Sequence, residues 1–198
     1  MSDKRDQLLD AAMDLFCRHG FHAIGIDRVL AEAGVAKMTL YHHFESKEQL
    51  IVAALKRKDQ EFRKRLHSAV THSATAPGDQ LLAIFDVLAT VVCRPDYAGC
   101  AFANACAEYA DADHPVHQAA AAHKQGIRDY VLELARAAQA HAADELAAQL
   151  CVLIDGALVT THICRDRSVV TAARSAAAVL LHAQGVSTAE TVDVAAAK

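Results

Sequence analysis

Lys37, Thr39, Tyr41, His42 and His43 follow closely on Gly34, with Lys47 a few residues on, so hydrogen-bond donors crowd one short stretch of a chain that is 53% hydrophobic. Ammonium, hydroxyl and imidazole groups packed this densely suit phosphate oxygens and base edges. A second group with chemical potential is Cys93, Cys100 and Cys106, with His114 and His117 nearby. Two of these thiols could form an oxidant sensor. However, Cys100 and Cys106 are six apart, which is poor spacing for one helix face, and no C-x-x-C occurs. His114 and His117 straddle a helix start, a weak zinc pattern, so no metal and no cofactor are expected. The default for such cysteines is packing as small hydrophobes. The third feature is Asp155, inside the apolar run CVLIDGALV with Cys151, Leu158 and His162 near its face. A buried carboxylate there needs a partner. Cys106, His117 and Asp155 could be imagined as a catalytic set. No spacing unites them and no glycine-rich phosphate loop accompanies them, so no catalytic residue is assigned and the chain is not read as an enzyme.

The elements that position these groups read as helices throughout. Alternating strand patterns are absent, alanine is abundant, and the three prolines (77, 95, 115) each fall at a break. A first helix is predicted over 3–19, capped by Ser2 and ended by Gly20. A second covers 26–33, with Ile26, Val29, Leu30 and Ala33 inward, and Gly34 makes the turn. A third spans 37–43, with Leu40 and Phe44 toward the core. A fourth starts at Ser46, where Ser46 and Gln49 fit a capping box. Five further helical segments follow the polar stretch THSATAPGD at 71–79: DQLLAIFDVLATVVC, CAFANACAEYA, a long helix over about 115–138, DELAAQLCVLIDGALVTTHIC and SVVTAARSAAAVLLHAQ. About eight residues, a glycine turn and about seven residues match a helix-turn-helix.

Charge agrees once the chain is divided. The net charge is −4, yet residues 1–65 hold 12 Lys+Arg against 10 Asp+Glu, while residues 66–198 hold 8 against 14. The cationic third is the one that carries the turn. No apolar run reaches the ~18–20 residues of a membrane span, and MSDKRDQLLD lacks a signal-peptide core. The sequence therefore predicts a cytoplasmic protein with no membrane partner, its cysteines mostly reduced.

The segment GIDRVLAEAGVAKMTLYHHFESKEQL, preceded by LLDAAMDLFCRHGFHAIGI, resembles the DNA-binding region of the TetR family of bacterial transcriptional repressors. The resemblance is close over about residues 6–56. It implies an all-α fold, with a three-helix helix-turn-helix domain at 1–48, a connecting helix at 46–70 and a helical effector-binding and dimerisation domain at 71–185. Residues 186–198 are expected to fray. It also implies residue roles: Lys37 and Thr39 at base edges or phosphates, Tyr41 at the phosphate backbone, His42 at a phosphate or a base, Lys47 on a phosphate, and Arg28 between a phosphate contact and a solvated face. The sequence departs from the family pattern at Gly25 and Ala36, where capping Ser or Thr is usual. It departs also at Leu30, usually alanine, and at Met38, often glycine.

The same resemblance implies a homodimer through the last two helices, for which Val169, Ala173, Ala176, Val179 and Leu180 lie along one side of the final helix. Partners would be a palindromic double-stranded operator, a second copy of the chain and a small-molecule effector. The effector pocket is expected among Phe85, Leu88, Val92, Phe102, Asn104, Cys106, Tyr109, Asp155 and His162. The alternative is a repressor that senses oxidant through Cys100 and Cys106.

Overall fold

The computed structural model describes residues 4–189. Among them are nine helices: α1 (Lys4–His19), α2 (Ile26–Ala33), α3 (Lys37–His43), α4 (Lys47–Ser73), α5 (Pro77–Val92), α6 (Ala101–Glu108), α7 (Pro115–Ala137), α8 (Ala143–Cys164) and α9 (Ser168–Ala183). The expected elements are all present, with ends shifted by up to three residues. Ser2, expected to cap α1, lies outside the described residues, as does the 190–198 part of the tail.

The described residues form two compact units, 4–62 with 100–124, and 63–99 with 125–189. Residues 100–124, expected with the second domain, therefore join the first unit. The cause is apolar burial: Phe102, Ala105, Tyr109, Val116, Ala119 and Ala120 share one core with Leu8, Phe16, Phe21, Leu40, Leu50 and Leu55. The polar stretch at 71–79 is a helix boundary inside the second unit, between α4 and α5.

In the first unit, Gly20 ends α1 at φ +91° and its N–H donates to the Phe16 carbonyl at 2.9 Å. Phe16 and Phe21 stack across that turn, with ring centroids 5.3 Å apart. Arg57 of α4 reaches α1 through Asp6 at 3.1 Å and Asp10 at 2.9 Å, and also pairs with Glu61. The predicted capping box forms in altered register. The Gln49 N–H donates to Ser46 Oγ at 3.2 Å, while Gln49 Oε1 accepts from the N–H of Glu45 instead of that of Ser46.

The second unit packs α8 against α9, and α5 against both. Its core draws on Leu81, Phe85, Leu88, Leu146, Leu150, Ile154, Ala177 and Leu181, each at most 5% exposed. The frayed-tail expectation fails for residues 186–189. Val186 and Thr188 are both 3% exposed, and the Ala189 N–H donates to Asp79 Oδ1 at 2.8 Å. The returning chain lies so close over Gly78 that a Cβ there would collide with the Ser187 backbone carbonyl. Gln184 also supplies what α8 lacks locally: its Oε1 accepts from the N–H of Ala142, the residue capping α8, at 2.8 Å.

One sequence expectation needs correction here. Over its 22 residues α8 is long and apolar enough, by length and composition, to cross a membrane. Asp155 interrupts its apolar run, which is why counting uninterrupted residues missed it. One side of α8 packs in the second unit against α5 and α9.

Candidate nucleic-acid interface

The interface is built by two short helices and the turn between them. Val29 and Leu30 bury the inner side of α2. Gly34 then adopts φ 62°, ψ 35°, its N–H returns to the Leu30 carbonyl, and the Val35 N–H reaches the same carbonyl at 3.2 Å. A left-handed residue at this place reverses the chain within one step, which glycine does without steric cost. No side chain caps α2 or α3, as Gly25 and Ala36 foretold. Val35, Leu40 and Phe44, at 7%, 0% and 4% exposure, pin α3 to the core.

The remaining positions of α3 follow from that anchor. An α-helix turns about 100° per residue, so the positions two before and two after Leu40 lie nearly opposite it. Those are Met38 and His42, both exposed, with Met38 80% accessible. Lys37 and Tyr41 flank them on one side, exposed as well. Thr39 and His43 flank them on the other and are half-buried. The face turned away from the core is therefore Lys37, Met38, Tyr41 and His42. Thr39, expected at a base edge or phosphate, stands at its margin, and the His43 ring lies tilted against Phe44 with centroids 6.2 Å apart.

Charge on this face is lightly held. Lys37 Nζ is 3.5 Å from Asp27 Oδ1, with both side chains largely exposed, a pairing that is weak in water. Lys47 is more constrained: its Nζ donates to the His22 carbonyl at 3.2 Å. Arg28 is exposed on α2.

The loop that Lys47 touches is itself held by a residue the sequence reading passed over. Glu108, at the end of α6, accepts from the N–H of Phe21 at 2.8 Å, the N–H of His22 at 2.6 Å and His22 Nδ1 at 3.1 Å. Burial alone would push the Glu108 carboxyl up. The hydrogen bonds from His22 and Phe21 outweigh it and hold the group below the ordinary glutamate range. The His22 ring stacks on Tyr109 at 4.5 Å, and Tyr109 lies 4.6 Å from the His114 ring. Nothing in local spacing links Glu108 to a loop 86 residues earlier, so only folding reveals it.

The nine residues expected to line an effector pocket divide between the units. Phe102, Asn104, Cys106 and Tyr109 belong to the first. There Phe102 stacks on His123 with ring centroids 3.6 Å apart, and buried His123 meets Asp59 at 2.7 Å. Phe85, Leu88, Val92, Asp155 and His162 belong to the second. The first three are packed core, at 1–3% exposure, and Asp155 is half-buried instead of sequestered. His162 lies edge-on to Tyr97 with centroids 6.0 Å apart, and the Tyr97 hydroxyl donates to the Leu158 carbonyl at 2.8 Å. Nδ1 of His162 is buried without a protein partner.

None of the six cysteines forms a disulfide. Burial pushes the Cys106 thiol up, neighbouring Cys100 adds to the rise, and Lys124 opposes it. A thiol held protonated is a poor nucleophile. Among the described residues no group of three or more His, Cys, Asp or Glu could hold a metal ion.

On the last helix, Ala173 turns inward at 8% exposure, Val169 and Leu180 are half-buried, and Ala176 and Val179 face outward. Of the residues expected at a dimer contact, Ala173 is thus committed to its own subunit, because α9 packs through Val170, Ala173, Ala177 and Leu181. The sequence reading missed that α8 carries the larger exposed apolar face: Val152, Val159 and Ile163 are 71%, 44% and 72% accessible.

Comparison with known proteins matches residues 8–54 to a family model described as bacterial regulatory proteins, tetR family. Residues 77–177 match a tetracyclin repressor-like C-terminal domain. The solved structure of SCO4454, a TetR-family transcriptional regulator from Streptomyces coelicolor, superposes with a TM-score of 0.85 at 34% identity, covering 91% of this chain and 95% of that one. The HTH-type transcriptional activator FasR of Mycolicibacterium smegmatis is 47% identical over 55 residues, 28% of this chain and 25% of FasR. The HTH-type transcriptional regulator YjdC of Escherichia coli is 27% identical over 168 residues, 83% of this chain and 86% of YjdC. The match to FasR thus spans only a quarter of that relative's length.

Proposed function

This chain belongs to the TetR family of bacterial regulatory proteins, and we propose that it acts in the cytoplasm as a homodimeric repressor of a palindromic operator. The observation that carries this is the outward face of α3. Leu40 is fully buried while Lys37, Met38, Tyr41 and His42 are exposed, so the helix offers one cationic, donor-rich side to a groove. In a two-fold dimer the two copies of α3 would enter successive major grooves about 34–36 Å apart. Lys37 and Arg28 grip phosphate, with Tyr41 and Lys47 at the backbone and His42 at a phosphate or base. Thr39 contributes from the edge of the face.

The self-association rests on the outward apolar residues of α8 and α9, Val152, Val159, Ile163 and Val179. Positions 152, 159 and 163 recur at helical spacing, which makes a stripe that a second copy can cover.

Release is assigned to a small-molecule effector. A second unit with an apolar core and, among the described residues, four buried polar atoms lacking a protein partner, Tyr130 Oη, Gln149 Oε1, Thr161 Oγ1 and His162 Nδ1, suits a ligand with an apolar body and hydrogen-bonding groups. An effector that binds better to the operator-incompetent arrangement lowers operator affinity by the same coupling free energy. Burial, which pushes the Cys106 thiol up, disfavours its thiolate and so favours this route over oxidant sensing.

The test is selection of duplexes from a random library with the reduced protein, followed by anisotropy titration at several salt concentrations. A palindrome bound with a steep negative salt dependence is expected. Recovery of no duplex, or binding indifferent to salt, would sink the reading.

A further inference from the structure

Among the described residues, six large hydrophobic side chains are exposed. Four lie on α8 and α9, where a second copy is proposed to cover them. The other two, Met38 and Tyr41, are three residues apart on α3 and so are neighbours on one helix face. Tyr41 has a hydroxyl to give water or phosphate. Met38 is 80% accessible and has only a thioether. An unbranched apolar side chain at the centre of an otherwise polar, cationic face needs an apolar partner to gain from that position.

DNA offers few such partners. Base faces are stacked in a duplex, sugars lie along the backbone away from the floor of the major groove, and phosphates repel an apolar group. In the major groove the one projecting apolar group is the C5-methyl of thymine. Met38 is the second residue of α3, and in helix-turn-helix proteins the first residues of the second helix are those that reach base edges. It also points almost directly away from Leu40, the helix's fully buried anchor. Its three rotatable bonds let the sulfur and terminal methyl settle against a small apolar knob.

We propose that Met38 is a specificity-determining residue that reads a thymine methyl group in each operator half-site, a role that rests on the operator-binding reading above. His42, one turn further along the same line, then sets the neighbouring contact.

The experiment takes the palindrome selected by the full-length protein and replaces each thymine in turn by deoxyuridine, symmetrically in both half-sites. Affinity is read by anisotropy for wild type, Met38→Ala and Met38→Leu. For wild type, uracil at one thymine per half-site is expected to weaken binding about fourfold per half-site, the worth of one buried methyl. Met38→Ala should bind thymine and uracil duplexes alike at that position, while Met38→Leu keeps most of the preference. Met38 is exposed and alanine is the best helix former, so the variant is expected to fold. The proposal is overturned if no thymine methyl matters to wild type, or if Met38→Ala keeps the full preference at every position. A wild-type protein that binds its palindrome in either of those ways leaves the operator reading standing. One that selects no duplex overturns both.

Discussion

Glu108 concentrates in one carboxylate the job of holding the loop between α1 and α2. Two backbone N–H groups and an imidazole nitrogen converge on it, and Gly20 leaves it room, since a Cβ there would come within 3.1 Å of Oε1. Hydrogen bonds to a charged acceptor are stronger than neutral ones. Replacing the carboxylate in Glu108→Gln is expected to cost about 2 kcal/mol, read as a lower urea midpoint at pH 7 with unchanged slope. The sign with pH follows from the direction of the shift. Because folding lowers the Glu108 carboxyl, its contribution is complete above the unfolded value, roughly 4.3, and is lost as pH falls through the folded one. The gap between wild type and Glu108→Gln should therefore be constant near neutrality and narrow in acid. A gap independent of pH down to pH 3 would remove the ionised carboxylate from this role. At the same scale, only part of the site was legible in the chain. Lys37, Tyr41 and His42 were recognisable from their types and spacing behind Gly34. Met38 was noted only as a replaced glycine, although its position two residues before Leu40 already set it on the outer face. Glu108 carried no local signal, because its partners are remote in sequence.

At the scale of elements, α2 and α3 are too short to be stable alone, and neither has a side-chain cap. Their geometry rests on the Gly34 turn and on Val35, Leu40 and Phe44 in the core. No atom lies within 4 Å of where a Gly34 Cβ would sit, so any substitution there acts through backbone conformation alone. Gly34→Val, β-branched at φ 62°, is expected to destabilise by about 2 kcal/mol and to weaken operator binding as α3 shifts. Gly34→Asn, which tolerates the left-handed region, should recover most of both, as thermal melts and anisotropy would reveal. Equal losses for the two variants would argue for a hidden contact instead. The helix limits themselves were readable from Gly and Pro punctuation and from periodic apolar residues. The exceptions were the chain after α9, whose ordering depends on Gly78 admitting Ser187 and on Gln184 capping α8, contacts between distant segments.

For the whole molecule, the outward stripe on α8 makes a demanding prediction. Placing carboxylates at Val159→Asp and Ile163→Asp together should convert a dimer to monomer by sedimentation, with little change in the melting of a single subunit at low concentration. The palindrome would then be bound with markedly lower affinity, since each half-site is engaged alone. A variant that stays dimeric at micromolar concentration would direct attention to another surface.

What the amino-acid order determined by itself was the class of the fold and the place of the DNA-facing segment. Apolar residues recur at helical spacing and glycine ends the first two helices at Gly20 and Gly34, and these are local physical facts that no tertiary contact is needed to express. Tertiary structure alone decided which side of each helix is free. Ala173 and Ala176 read alike along the final helix, yet one is packed inward and the other is exposed, because burial depends on which neighbouring helix arrives. It likewise decided that residues 100–124 share a core with α1 and that Glu108 closes on His22, since both require segments far apart in the chain to be brought together by the burial of the apolar surface between them.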